Sequence, residues 1–236
     1  MFLDRMLQQQ GHGTRRDCRA LVAHGRVALR GVVVTDPDHA LPPAELGDLT
    51  YSVNGTLWLY AQNAYLMMHK PAGVECSHKP GFHPSIYALL PQPLLNRDVQ
   101  TLGRLDHDTT GLLLLSDDGK FIHKLISPKH HVPKVYEVTC KHAVTQAACD
   151  QLQSGVVLDD DPAPVRAAAC EQSGEFTLRL TLTQGKYHQV KRMIAAVSNR
   201  CEGLHRSRIG ELALPADLAP GQWRWLSADE LRAVGF

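Results

Sequence analysis

Aspartates crowd the stretch from Thr101 to Phe121, TLGRLDHDTTGLLLLSDDGKF, at positions 106, 108, 117 and 118. A polar loop dense in Gly and Asp that runs into an apolar segment could hold a cation, cradle a phosphate or supply paired carboxylates. Calcium fits poorly, because no D-x-[DN]-x-[DN]-G loop with a distal Glu is present. Residues 103–111 match neither the Gly-x-Gly-x-x-Gly nor the Gly-Lys-Ser/Thr phosphate pattern. Paired acids for glycoside hydrolysis stay open, since spacing along a chain does not fix separation in space. The 13 histidines invite a metal reading, yet there is no H-E-x-x-H, and His130-His131 has no cysteine or carboxylate at ligand spacing. No metal site is expected. The 6 cysteines are scattered without a C-x-x-C pair, the pattern of reduced, buried thiols.

Charge adds a second clue. The chain of 236 residues carries a formal net charge of +1, but its cations are clustered. Arg5, Arg15, Arg16, Arg19, Arg26 and Arg30 stand against Asp4 and Asp17 near the amino terminus. Arg179, Lys186, Lys191, Arg192, Arg200, Arg206 and Arg208 stand against Glu175 and Glu202 later on. The acids gather elsewhere, at 36–48 and 159–161. Two basic segments in a neutral chain point to a polyanion-binding face, with a solvated charged surface as the plain alternative. The first residues are polar and charged from position 4, unlike a secretory signal, and no apolar run approaches the roughly 20 residues of a membrane span. A soluble, cytoplasmic protein is expected.

The elements that must position these residues can be read from periodicity. Leu3, Met6 and Leu7 share a helical face, and Gly11-His12-Gly13 ends it. Thr14 and Asp17 form a capping-box pattern, which opens a second helix with Cys18, Leu21 and Val22 as its apolar stripe. Arg15, Arg16 and Arg19 fall largely off that stripe, free to face a partner. Arg26 to Val34 reads as a hairpin turning at Arg30-Gly31. Residues 36–63, richer in Pro, Asp, Gly and Asn, suggest a loop, short strands and a linker, with a domain boundary near 60. Beyond it, 65–69, 111–116, 135–140 and 177–182 read as strands, the last alternating cleanly. Helices are expected at 143–153 and 188–197, and Ser227 with Glu230 caps a final one. Strands with segregated helices predict an α+β fold rather than a doubly wound sheet. A 44% hydrophobic fraction is enough for a real core.

Gly-Arg-Leu-Asp at 103–106, followed by Asp108-Thr-Thr-Gly and the leucine run to Gly119, resembles the signature of bacterial ribosomal pseudouridine synthases. His69-Lys70-Pro71-Ala72-Gly73 resembles the family's Asn-Lys-Pro-x-Gly, with His69 in place of the usual Asn. Lys134-Val-Tyr136-Glu-Val resembles Lys-x-Tyr-x-Val. Gly185 to Met193 resembles Gly-Arg-x-His-Gln-[Ile/Val]-[Arg/Lys]-Arg-Met, with Lys186 where Arg is commoner. The first 45 or so residues resemble the S4-like RNA-binding domain, with Arg30-Gly31 where Asn-Gly is frequent.

The resemblance implies residues 1–60 as an S4-like RNA-binding domain with linker. It implies 61–236 as a catalytic domain built on a mixed, mainly antiparallel sheet with flanking helices. It further implies Asp106 as the catalytic carboxylate, Lys191 as its ion-pair partner with Arg192 second, and Tyr136 stacked on the target uracil. Arg104, Lys134, Arg192, Arg15, Arg16, Arg19 and Arg26 are the expected RNA contacts. No cofactor is implied. The expected partner is ribosomal RNA, namely 16S RNA in a small-subunit assembly intermediate with uridine 516 as target, bound by a monomer. Asp108-Thr-Thr-Gly111, Ser127 to His131, the Gln-Val-Lys-Arg form at 189–192 and Leu204 to Gly210 lean to this small-subunit type. Within the family the alternative is a synthase acting on 23S ribosomal RNA; two other classes remain as rivals, a non-catalytic RNA-binding assembly factor and a metal-dependent phosphodiester-cleaving enzyme.

Overall fold

The computed structural model describes residues 1–158 and 161–236, so Asp159 and Asp160 of the acidic cluster lie outside the described residues. The chain divides into two units. One comprises Met1–Ala64 with Leu90–Gln100, the other Tyr65–Leu89 with Thr101–Phe236. The first boundary falls a few residues beyond 60, and a stretch assigned by sequence to the catalytic part groups with the amino-terminal unit.

The first unit opens with α1 (Leu3–Gln9) and α2 (Arg15–Ala23). Thr14 and Asp17 form the expected reciprocal cap at the start of α2. Strands β1 (Val27–Leu29) and β2 (Val32–Val34) make the hairpin, with both turn residues at positive φ, Arg30 at 46° and Gly31 at 83°. That is the backbone of a tight primed turn, which follows the strand twist. After the short α3 (Pro43–Leu46), β3 (Thr50–Val53) and β4 (Thr56–Leu59) complete an antiparallel sheet of order β2-β1-β3-β4. Leu3, Met6, Leu7, Cys18, Val22, Val27, Leu49 and Tyr51 form its core. Leu90–Gln100, which contains α4 (Gln92–Asn96), joins this unit through specific contacts. Asn96 donates to the Gly11 carbonyl, and Arg97 donates to Gln10 Oε1 and to the Ala61 carbonyl. A side chain at Gly11 would run into the Pro93 backbone.

Asp4 explains why the Arg15 and Arg19 side chains converge here. Its carboxylate is fully buried in the packed helices, and Arg15 Nε (2.8 Å) and Arg19 Nη1 (3.1 Å) reach it. Burial alone would raise its pKa, but hydrogen bonds from Arg15, Arg19 and the Arg5 backbone win and hold it below the usual range. Arg19 also grips Asp38 at 2.7 and 3.0 Å. Two of the three α2 arginines are therefore engaged within the unit, whereas Arg16 and Arg26 are exposed.

In the second unit β5 (Tyr65–Lys70) and β7 (Thr110–Ser116) are neighbours in a mixed sheet; the two-residue β6 is Gln100–Thr101. Helix α5 (Gly119–Ile126) leads to β8 (Lys134–Cys140), then α6 (Gln146–Ser154), β9 (Val156–Leu158) and β10 (Asp161–Val165). Strands β11 (Ala169–Gly174) and β12 (Thr177–Leu182) precede α7 (Gln189–Ala196). The chain then forms β13 (Cys201–Ile209), β14 (Leu212–Ala213), β15 (Trp223–Trp225) and α8 (Ala228–Ala233), the last with the expected capping box. The sheet runs β11-β12-β8-β13-β7-β5-β15. Its described pairings are antiparallel except β7 with β13.

Central β7 explains the leucine run. Leu112 to Leu115 are wholly buried, so both faces of the strand are covered and alternation is lost. Each such side chain contributes about 1.5–3 kcal/mol relative to exposure. Leu112 and Leu114 pack with Met67, Phe121 and Leu125, while α6 and α7 close a second core over Val138, Leu178 and Leu180. Gly111 is required where β7 meets β13, because a side chain there would penetrate the Arg206 backbone. The fold is α+β, with a mixed, mainly antiparallel sheet.

Candidate active site

A cleft of about 520 Å³ opens over the sheet in the second unit, walled by the 102–109 loop, the ends of β8 and β13, and the 184–191 segment. The loop is placed from below. Lys70 ends β5 fully buried, and its ammonium donates to the carbonyls of Pro71 (3.0 Å), His107 (3.2 Å) and Thr109 (2.8 Å). Those carbonyls use all of its donors and fix the backbone on either side of Asp108. Burial pulls the Lys70 pKa down. His69, the departure from the usual Asn, donates from Nδ1 to the Leu218 carbonyl (2.8 Å) and packs edge-on against His205; it does not line the cleft.

Asp106 lies on the cleft wall, partly exposed. Lys191 Nζ approaches Asp106 Oδ2 at 3.3 Å, and His188 Nε2 approaches Oδ1 at 3.3 Å. Lys191 is closer still to Asp108, at 2.7 and 2.8 Å from its two carboxylate oxygens. Desolvation would raise the Asp108 pKa, but the Lys191 hydrogen bond and charge hold it below the ordinary carboxylate range. Desolvation likewise opposes the charge on Lys191, and its two acidic neighbours raise its pKa regardless. The helical phase of α7 accounts for this: Val190, Met193 and Ile194 face the core, which turns Lys191 toward the 106–108 loop. Arg192 points elsewhere, with Nη1 on the Tyr187 carbonyl at 3.1 Å, and it does not line the cleft.

His188 was not singled out by the sequence reading. It precedes α7 in a left-handed conformation (φ 47°), and its ring stacks on Tyr187 with centroids 3.8 Å apart. Its position within the Gly185 to Met193 motif was the available signal. Tyr136 and Lys134 line the cleft two residues apart on one face of β8, and Arg104 stands exposed at the mouth. Lys134 donates to the Val132 carbonyl (2.9 Å), and burial together with the Arg206 charge brings its pKa down to about 8. Arg206, buried in β13, donates from Nε to the Leu112 carbonyl (2.8 Å). Arg15, Arg16, Arg19 and Arg26 belong to the first unit.

Among the described residues no cluster of three or more His, Cys, Asp or Glu is arranged to hold a metal, and no helix is long and apolar enough to cross a membrane. All six cysteines are free thiols.

A carboxylate flanked by two basic groups, with an aromatic ring in the same cleft, suits chemistry on a nucleoside. The family model for RNA pseudouridylate synthase matches residues 64–196, which hold all of these groups up to Lys191. The chain belongs to the RNA pseudouridylate synthase family. It is 37% identical over 231 residues to a ribosomal small subunit pseudouridine synthase A from Pasteurella multocida, covering 98% of each chain. The Escherichia coli K12 protein of that description is 37% identical over 234 residues, covering 99% of this chain and 100% of the relative. A crystal structure of a pseudouridylate synthase superposes with a TM-score of 0.70 at 32% identity, covering 99% of both chains. This synthase is thus an isomerase built like those relatives throughout its length.

Proposed function

We propose that this synthase converts one uridine of 16S ribosomal RNA, uridine 516, to pseudouridine, with Asp106 as the catalytic carboxylate. The observation that carries the reading is Asp106 in the cleft between Lys191 and His188, in a chain nearly co-extensive with relatives named for the small subunit. In the reaction the N1–C1′ bond breaks, the base turns, and C5 joins C1′. The C5 proton leaves and N1 gains one, so the product is an isomer and no electrons are exchanged. Asp106 serves at the sugar or base, while Lys191 and His188, each 3.3 Å from its carboxylate, hold it oriented. Tyr136 stacks on the extruded uracil, offsetting the stacking lost when the nucleotide leaves its helix. Arg104 at the mouth and Arg192 beyond it contact the RNA backbone. Lys134 lies deeper, beside the base.

The amino-terminal unit acts as an S4-like RNA-binding module, with exposed Arg16 and Arg26 as its phosphate contacts. Arg15 and Arg19 shape that surface through Asp4. The synthase works in the cytoplasm as a monomer on a small-subunit assembly intermediate, without a cofactor. The test is to incubate the protein with naked 16S and 23S RNA and with partly assembled small subunits, then map modified positions. Modification at one small-subunit site is expected, abolished in Asp106→Asn with RNA binding retained. Modification confined to 23S RNA refutes the target, and activity of Asp106→Asn within tenfold of the parent refutes the catalytic assignment.

A further inference from the structure

Buried polar atoms normally find a partner. Among the described residues two buried side-chain polar atoms have none, Thr109 Oγ1 and Arg206 Nη2. Both residues line the same cleft as Asp106. Arg206 is 2% exposed, so an unused guanidinium donor there costs folding free energy unless something else needs it. The sheet register shows what it is near. Arg206 pairs with Tyr136 across β13 and β8, so their side chains share a face, and Lys134 lies two residues along from Tyr136 on that face. Across the parallel pair, Arg206 stands opposite Gly111, two residues beyond Thr109. Two cations and a hydroxyl therefore surround the place where the proposed reading puts the base. No carboxylate partner of Arg206 or Lys134 is present among the described contacts, since both donate to backbone carbonyls.

Breaking N1–C1′ leaves the electron pair with the base. Whether Asp106 adds to the sugar, adds to the base or assists elimination, negative charge collects on the uracil oxygens. We propose that Arg206, with Lys134 beside it and Thr109 across from it, forms a subsite for the uracil edge that stabilises this charge as the glycosidic bond breaks. The guanidinium and ammonium donate to the carbonyl oxygens, and Thr109 Oγ1 accepts from N3–H. The C5 proton and the N1 proton are handled elsewhere, so the subsite contributes charge and hydrogen bonds only. This inference rests on the pseudouridine synthase reading and assigns the part of the reaction that Asp106 does not serve.

The experiment compares single-turnover rates on RNA carrying uridine or 5-fluorouridine at the target, read as loss of the starting nucleoside after nuclease digestion. Fluorine makes the departing base more acidic, so it needs less help from a cationic site. Arg206→Gln should lower the uridine rate about 100-fold, the usual cost of one preorganised donor, with KM little changed. The loss on 5-fluorouridine should be at least about fivefold smaller, and Arg206→Lys should recover part of the uridine rate. Because Arg206 is buried, Lys134→Gln is the parallel variant, and it should show the same substrate-dependent loss. Equal losses on both substrates in a folded Arg206 variant, or in Lys134→Gln should Arg206→Gln not fold, overturn the inference while leaving the synthase reading intact. A parent protein that modifies neither RNA overturns both.

Discussion

Replacing Lys191 with Met separates electrostatic catalysis from a structural ion pair. Lys191 lies 3.3 Å from Asp106 Oδ2 and is 26% exposed. At that distance, with an effective dielectric of about 20, the gross attraction is about 5 kcal/mol. Sharing with Asp108 at 2.7 Å and partial solvation reduce it toward the value of a charged hydrogen bond, about 1.5–3 kcal/mol. If that interaction is made mainly in the transition state, Lys191→Met loses about 10- to 150-fold in kcat/KM. The effect on folding should be much smaller. Asp108 is 53% exposed, and a pair so open to water contributes under about 1 kcal/mol. Activity is followed by tritium release from C5-labelled RNA, and stability by urea unfolding. Lys191→Arg should retain most of the rate, since it keeps the charge. A Lys191→Met rate within threefold of the parent refutes the reasoning. So does a loss matched by equal loss of folded protein.

The arginines of the first unit should divide into two kinds. Arg15→Ala or Arg19→Ala, which leave buried Asp4 short of a partner, should destabilise by about 1–3 kcal/mol in urea unfolding. Arg16→Ala and Arg26→Ala should leave stability alone and reduce the slope of log K against log salt by up to about 0.9 per lost phosphate contact. Glu230, held at about 2 by two hydrogen bonds from Arg224 and one from the Ser227 backbone, contributes stability that is present above about pH 4.5. That stability is lost as pH falls toward 2, so Glu230→Gln should cost about 2 kcal/mol at neutral pH, with the difference from the parent shrinking through that window. Among the described residues no three His, Cys, Asp or Glu are grouped to hold a metal, so turnover should survive dialysis against a strong chelator; loss restored by added metal would contradict this.

The strands were legible because their patterns are local. Alternation in Thr177 to Leu182 and the unbroken leucines at 112–115 report one-sided and two-sided burial directly. The caps at Thr14 and Ser227 were equally local. What the sequence hid depends on distant contacts. Leu90–Gln100 reads as part of the second half, yet Asn96 and Arg97 bond to groups 85 and 36–87 residues away. Asp4 reads as a minor acid among arginines, whereas it is the buried centre that binds them. In the site, Asp106 and Lys191 were legible through their motifs, and their proximity followed. The tighter hold of Asp108 on Lys191 and the approach of His188 were not legible, because neither is encoded by helical phase alone. Arg206 reads as part of a basic, polyanion-facing segment; only the strand register turns it inward.

That inward turn also resolves the modest net charge. An RNA enzyme needs positive potential, yet the chain totals only +1. Lys70, Lys134 and Arg206 carry charge beneath the cleft while donating to carbonyls of Pro71, His107, Thr109, Val132 and Leu112. A carbonyl satisfies a donor without cancelling its charge, as a carboxylate would. The cations thereby stay positive toward whatever enters, at a cost in desolvation visible in the lowered pKa values of Lys70 and Lys134. Asp106 and Asp108 are paired with Lys191, and Asp106 also with His188, at 2.7–3.3 Å. Electrostatics in this cleft are set by where few charges are buried, so surface-charge totals say little about its chemistry.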